Sequence, residues 1–252
     1  MKTHRIGHLH AIVVLLAGLA AAVAPGPASA AERFTSVVEL FTSQGCSSCP
    51  PADALLGELA KGDDIIALSL SVDYWDYLGW KDTLASPANS ARQRAYARAR
   101  RDRAVYTPQV VINGIVHAAG NNPASVAEAS ATARDRLKDA WVPISVTSEG
   151  DTLQVHAGAA NGGARYGSGT LWLVLYSGVE EVSIKRGENA GRTIRYHNVV
   201  REMSPIGMWH GEAMSVDLPK SDVQGRGYDG CAVLLQAGSA GPIIGAATLP
   251  AW

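Results

Sequence analysis

Three cysteines stand in a chain of 252 residues, and two of them are three apart, in Cys46-Ser47-Ser48-Cys49. At that spacing on the start of a helix the two Cα atoms lie within disulfide range, roughly 4.4 to 6.8 Å, so the pair opens and closes without bending the backbone. The unpaired N–H groups and the dipole of a helix N-terminus favour thiolate over thiol, which makes the outer cysteine a nucleophile near neutral pH. In pairs of this type the first thiolate attacks a substrate disulfide and the second resolves the mixed disulfide. Cys46 is therefore the candidate attacking residue and Cys49 the candidate resolving residue. Two other readings stay open. A static disulfide would staple the loop in the same place, and two thiolates are half of a zinc site. Zinc needs two further ligands, and His117, His156, His197 and His210 have no spacing that pairs them with the cysteines, so no metal ligand is assigned.

The residues around the pair supply a strand before it and a helix after it. Phe34 to Phe41 reads as a strand, Thr42 to Gly45 are turn residues, and Pro50-Pro51 suit a first helical turn, where backbone N–H groups have no partners anyway. This places the cap at Ser47 or Ser48, with Cys46 exposed just outside the first turn. Leu55, Leu56 and Leu59 then share one face of a helix from Pro51 to Lys61. Asp64 to Val72 is a continuous apolar run, the pattern of a strand buried on both faces. Ser90 to Ala104 is helical in composition. Gln109 to Ile112 and Gly114 to Ala118 form a hairpin at Asn113-Gly114, and Ala124 to Trp141 closes this half as a helix. Beyond Val142 the helical patterns stop and seven or eight short strands follow, which predicts a β-sandwich-like unit.

Tyr106-Thr107-Pro108 stands immediately before the hairpin strand, where a proline is tolerated at a strand's first residue. That peptide is an ordinary trans bond or a cis one. Strand, CxxC, helix, strand, helix, Thr-Pro, hairpin, helix over about Phe34 to Ala140 resembles the thioredoxin fold. The resemblance implies that Pro108 is a cis-proline lying against the CxxC and that Thr107 offers its backbone to a substrate strand. A narrower likeness is carried by Phe41-Thr42-Ser43-Gln44-Gly45-Cys46-Ser47-Ser48-Cys49-Pro50-Pro51-Ala52-Asp53, by Val72 to Asp82, by Tyr106-Thr107-Pro108-Gln109 and by Asn198-Val199-Val200-Arg201. These segments resemble an exported thioredoxin-like family catalogued as domain of unknown function, number 1223. It implies a fold but no established reaction.

The domain reading that follows is a signal peptide over residues 1–30, an α/β thioredoxin-like domain over 31–141 with helices on both faces of a mixed sheet, and a β-rich domain over 142–252. Lys2 and Arg5 precede an apolar stretch over residues 11 to 24, and Ala28-Ser29-Ala30 offers a cleavage site. The expected location is therefore the periplasm or the medium of a bacterium, with no stable membrane span after cleavage, in a compartment that permits disulfides. The whole chain has 22 basic and 23 acidic residues; losing Lys2 and Arg5 takes the net charge from -1 to -3. That balance gives no nucleic-acid surface. No P-loop, nucleophile elbow or dinucleotide fingerprint is visible, so no cofactor is assigned. The expected partners are a disulfide-containing protein or small molecule and a redox partner of unknown identity. Whether the pair reduces, oxidises or isomerises is not written in the intervening Ser-Ser.

Secondary features have bland alternatives. Asp73 to Asp82 holds three acids and four large aromatics; it is an aromatic seal, or a substrate-facing lip in which Asp73, Asp76 or Asp82 assists proton transfer. Arg92, Arg94, Arg98, Arg100, Arg101 and Arg103 read as a solvated helix, with Arg94, Arg98 and Arg101 on one face. Cys231 reads as a buried inert thiol. Arg195, His197 and Arg201 alternate onto one face of a strand.

Overall fold

The computed structural model describes residue 1 and residues 34–162, 165–224 and 227–249. The expected signal segment, residues 2–30, lies outside the described residues. Among the described residues no helix is long and apolar enough to cross a membrane.

Two runs rich in apolar residues form β1 (Ser36–Thr42) and β2 (Ile65–Ser71), parallel neighbours in register from Ser36 opposite Ile65 to Thr42 opposite Ser71. Nearly every residue of both is buried, as a sheet covered on both faces requires. Their crossover contains α1 (Pro50–Leu59). The next helix, α2 (Pro87–Arg100), begins at Ser86, whose hydroxyl accepts from the N–H of Ala88. The hairpin strands β3 (Gln109–Ile112) and β4 (Val116–Ala119) turn at Asn113 and Gly114, with φ of 45° and 72°, the left-handed pair that a tight hairpin turn needs. Helix α3 (Pro123–Leu137) is capped by the side chain of Asn122 on the N–H of Ser125.

The second half contributes β5 (Ile144–Glu149), β6 (Thr152–Ala157), β7 (Gly169–Ser183), β8 (Thr193–Trp209), β9 (Met214–Pro219), the short α4 (Lys220–Gln224), β10 (Gly230–Gln236) and β11 (Ile243–Leu249). The sheet crosses the division expected near Trp141 to Pro143. Eight strands run in the order β11-β10-β7-β8-β2-β1-β3-β4, joined across the halves where Val199 of β8 meets Ser69 of β2 in parallel. Among the described residues, β5, β6 and β9 form a separate three-stranded sheet. The physical reason is two-sided burial. One face of β7 and β10 puts Leu171, Leu173, Leu175, Val233 and Leu235 in a cluster with Leu153 and Val155 of the small sheet. The other face puts Val174, Ala232 and Leu234 with Phe41, Leu68, Leu70 and Tyr96 of the first half. Strands with two apolar faces bury both only inside a shared sheet.

A polar network fastens the same junction. Arg92, expected on a solvated helix, is largely withdrawn from solvent instead, with Nε 2.6 Å from Glu39 Oε1 and Nη1 donating to Gln236 Oε1 at 3.1 Å. The Tyr96 hydroxyl donates to Glu39 Oε2 and accepts from Arg92 and from Gln236 Nε2. Glu39 and Tyr96 are completely buried, so these partners replace the water that folding removed. The arginine face expected on α2 also ends early, because Arg101 takes a left-handed conformation at the helix C-cap, with φ of 63°.

Candidate active site

Cys46 and Cys49 form a disulfide with a Cα–Cα separation of 5.4 Å. The helix starts as the prolines predict, but its cap is Cys49 itself, with no side-chain hydrogen bond. Ser47 and Ser48 are exposed, and the Ser48 hydroxyl lies 3.4 Å from Cys46 Sγ. Cys46 is not exposed as expected; it is 3% accessible. Two residues close around its loop. Trp75 packs so tightly on Gly45 that a Cβ there would come within 3.1 Å of Trp75 Cβ. Asn189, from the loop between β7 and β8, donates to the carbonyls of Gln44 and Cys46, both at 2.9 Å.

The aromatic loop ties the Thr-Pro segment to the residues just before the disulfide. Trp75 Nε1 donates to Thr107 Oγ1 at 2.8 Å, and Trp80 Nε1 donates to Gln44 Oε1 at 2.7 Å. The Thr107–Pro108 peptide is cis. Trp75 therefore touches the residue before the first cysteine and binds the residue before the proline. Most of the loop is packed, while Tyr77, stacked on Trp75, stands out at 77% exposure. Its carboxylates divide: Asp73 holds Ser90, Asp76 accepts the N–H of Asp82, and Asp82 turns inward to accept from the N–H groups of Gln44 and Leu84, each at 2.8 Å.

Asp53 is the residue that sequence reasoning passed over. It lies one helical turn beyond Cys49, and its N–H donates to the Cys49 carbonyl at 3.1 Å. Its side chain is buried; Oδ1 accepts from the Thr42 hydroxyl at 2.7 Å, while Oδ2 has no protein partner. Burial pushes its carboxyl up to about 8, against the Thr42 bond and reinforced by the charge of Asp82. Burial also raises Asp82. The Tyr196 hydroxyl is buried without a partner and is raised by burial and by both carboxylates. Asp53 had one visible signal: a carboxylate amid Ala52, Leu56 and Gly57 on the inward face of a helix. Asn189 had none, since a loop 143 residues away supplies it.

The other singled-out residues lie elsewhere. Cys231 is a free, buried thiol pushed up to about 11 by burial. His117 bonds Tyr106 and lies 3.3 Å from Asp102. His197 packs on α1 so closely that a Cβ at Gly57 would lie 2.6 Å from its ring. Arg201 falls out of the Arg195 and His197 alternation because the β7–β8 register shifts between Leu175 and Tyr176. Among the described residues no group of three or more His, Cys, Asp or Glu side chains is placed to hold a metal ion. A cavity of about 460 Å³ is lined by Ile66, Ala67, Ile144, Tyr176 and Ala246 and by no residue of the disulfide loop.

A family model described as "Protein of unknown function (DUF1223)" matches residues 37–236. The crystal structure of protein AGR_C_4864 from Agrobacterium tumefaciens is similar, with 38% identity, a TM-score of 0.74, and coverage of 86% of this chain and 95% of that one. HBP35 of Porphyromonas gingivalis shares the fold at 11% identity and a TM-score of 0.57, over 86% of this chain and 75% of that one. No curated protein matches the chain.

Proposed function

The chain belongs to the DUF1223 family of proteins of unknown function, and we propose that it is an exported thiol-disulfide oxidoreductase with a thioredoxin-like first half. The observation that carries this reading is the Cys46–Cys49 disulfide at the start of α1 with a buried, half-satisfied carboxyl one turn behind it. A structural staple has no use for such a group. A carboxyl that holds its proton near neutral pH suits a site where a thiol must lose or gain one.

In the reducing direction, the Cys46 thiolate attacks one sulfur of a substrate disulfide, and the substrate's other sulfur leaves as a thiolate. Asp53, ionised, takes the proton of the Cys49 thiol. The Cys49 thiolate then attacks Cys46 Sγ, closing the Cys46–Cys49 bond and releasing the second substrate thiolate. The substrate gains two electrons and the protein loses two, which an external dithiol restores. The oxidising direction is the reverse sequence, with protonated Asp53 returning its proton to departing Cys49. Thr107 and Pro108 are the substrate-binding residues of this reading, which is supported by Trp75 bonding Thr107 and packing on Gly45, the residue before Cys46.

Reduction of insulin by dithiothreitol, followed by turbidity, tests it. Wild type accelerates precipitation; Cys46→Ser abolishes the acceleration; Cys49→Ser accumulates a mixed disulfide detectable by mass. Equal activity of Cys46→Ser and wild type overturns the mechanism.

A further inference from the structure

A groove of about 320 Å³ opens on the outer side of the disulfide helix. Pro50, Ala54 and Glu58 of α1 form one wall, and Arg192, Thr193, Ile194, Arg195 and His197 form the other. It begins at Pro50, the residue after Cys49. From Pro50 to Glu58 a helix rises about 12 Å, the length of three or four extended residues. Its apolar lining is Pro50, Ala54 and Ile194, and its charged lining is Glu58, Arg192 and Arg195.

The charges are unequal. Glu58, on the groove wall, pairs with Lys61 at 2.7 Å in a bond as exposed as the next one. Arg195 pairs with Glu181 in an exposed bond of 2.9 Å that competes weakly with solvent. No carboxylate among the described residues pairs with Arg192; its Nη1 donates to Asn189 Oδ1 at 3.1 Å. The preceding loop adds exposed Lys185 and Arg186 against one exposed acid, Glu188. Arg192 is also wired to the chemistry, because the same Asn189 side chain binds the Cys46 carbonyl. The backbone offers a further feature. β8 pairs with β7 from Thr193 onward but meets β2 only at Val199, so no strand among the described residues pairs with the other edge of Thr193 to His197.

We propose that this groove docks an extended acidic segment of the protein disulfide substrate, with Arg192 and Arg195 as the residues that select it. The inference rests on the exchange activity proposed above for its purpose, but docking is measured separately. An extended chain satisfies its backbone on a strand edge that no other strand among the described residues pairs and places alternate side chains on the wall, while carboxylates meet the arginines.

Two arms test the proposal. In the first, fluorescence anisotropy follows a labelled, cysteine-free peptide alternating Glu with Ala, and its Gln counterpart, on the oxidised full chain. The acidic peptide binds about tenfold tighter at low salt, the order expected for a few exposed charge pairs, and the advantage shrinks as salt rises. Arg192→Glu with Arg195→Glu reverses the preference toward a Lys peptide, a gain that an unfolded protein does not produce; Arg195→Glu alone moves it part of the way. Equal affinity for the Glu and Gln peptides, or an unchanged preference in the double variant, overturns the proposal whatever the second arm shows. In the second arm the same peptides carry a reducible disulfide and turnover is followed. Selective binding without turnover of any peptide sinks the exchange reading and leaves the acidic docking surface standing. Turnover with KM lower for the acidic peptide supports both.

Discussion

Two buried polar clusters join the halves of this molecule, and they are built in opposite ways. Around Glu39, every carboxylate oxygen, the guanidinium of Arg92, the Tyr96 hydroxyl and the Gln236 amide find partners. Around Asp53, by contrast, Asp53 Oδ2, the Tyr196 hydroxyl and the hydroxyls of Ser69 and Ser71 are buried without protein partners. Both cost desolvation, but only the first recovers it through hydrogen bonds. The first is a fastener. The second keeps an unsatisfied carboxyl one turn from a disulfide, an arrangement that weakens the fold and suits proton transfer.

That contrast breaks or sharpens under mutation. The largest effect is expected from Arg92→Ala, which leaves Glu39 buried and uncompensated and lowers stability in urea melts by about 3–5 kcal/mol. Asp53→Asn acts in the opposite sense. The Asp53 pKa is raised from 3.8 in the unfolded chain to about 8 in the folded one, so between those values the native state binds the extra proton. Its contribution to stability is fully present below about pH 4, and stability falls as pH rises from there toward 8, by up to about 1.4 kcal/mol per pH unit. The Asn variant loses that slope and is the more stable protein at pH 8, while its resolving step loses the pH dependence set by Asp53. A wild-type profile as flat as that of the variant would put the raised carboxyl in doubt.

The two tyrosines give a matched comparison. Tyr96→Phe strips partners from Glu39, Arg92 and Gln236 and costs about 1–3 kcal/mol, whereas Tyr196→Phe removes an unpartnered hydroxyl and is neutral or stabilising. Equal losses in thermal melts contradict the division. The smallest effect belongs to Trp75→Phe, which removes the bond to Thr107 and costs about 0.5–1.5 kcal/mol, with a larger relative loss in substrate KM than in stability.

Much of this was legible beforehand, for local reasons. The helix at Pro50, the hairpin at Asn113-Gly114 and the parallel strands all follow from proline geometry, left-handed turn residues and apolar runs within a few positions. Cys46 and Cys49 follow from their spacing alone. The exposure of Cys46 did not, because Trp75 and Asn189 arrive from 29 and 143 residues away. Nor did the role of Arg92, since a helix of arginines looks the same whether one of them faces water or Glu39.

By itself the sequence determined which residues carry redox-capable chemistry and which local elements hold them, because helix starts, turns and strand faces are set by neighbours along the chain. The tertiary structure alone decided that the two halves share one sheet, that Asn189 grips the disulfide loop, and that Asp53 keeps its proton to about pH 8. Pairing, desolvation and shared burial depend on segments far apart in the chain, and folding brings them together.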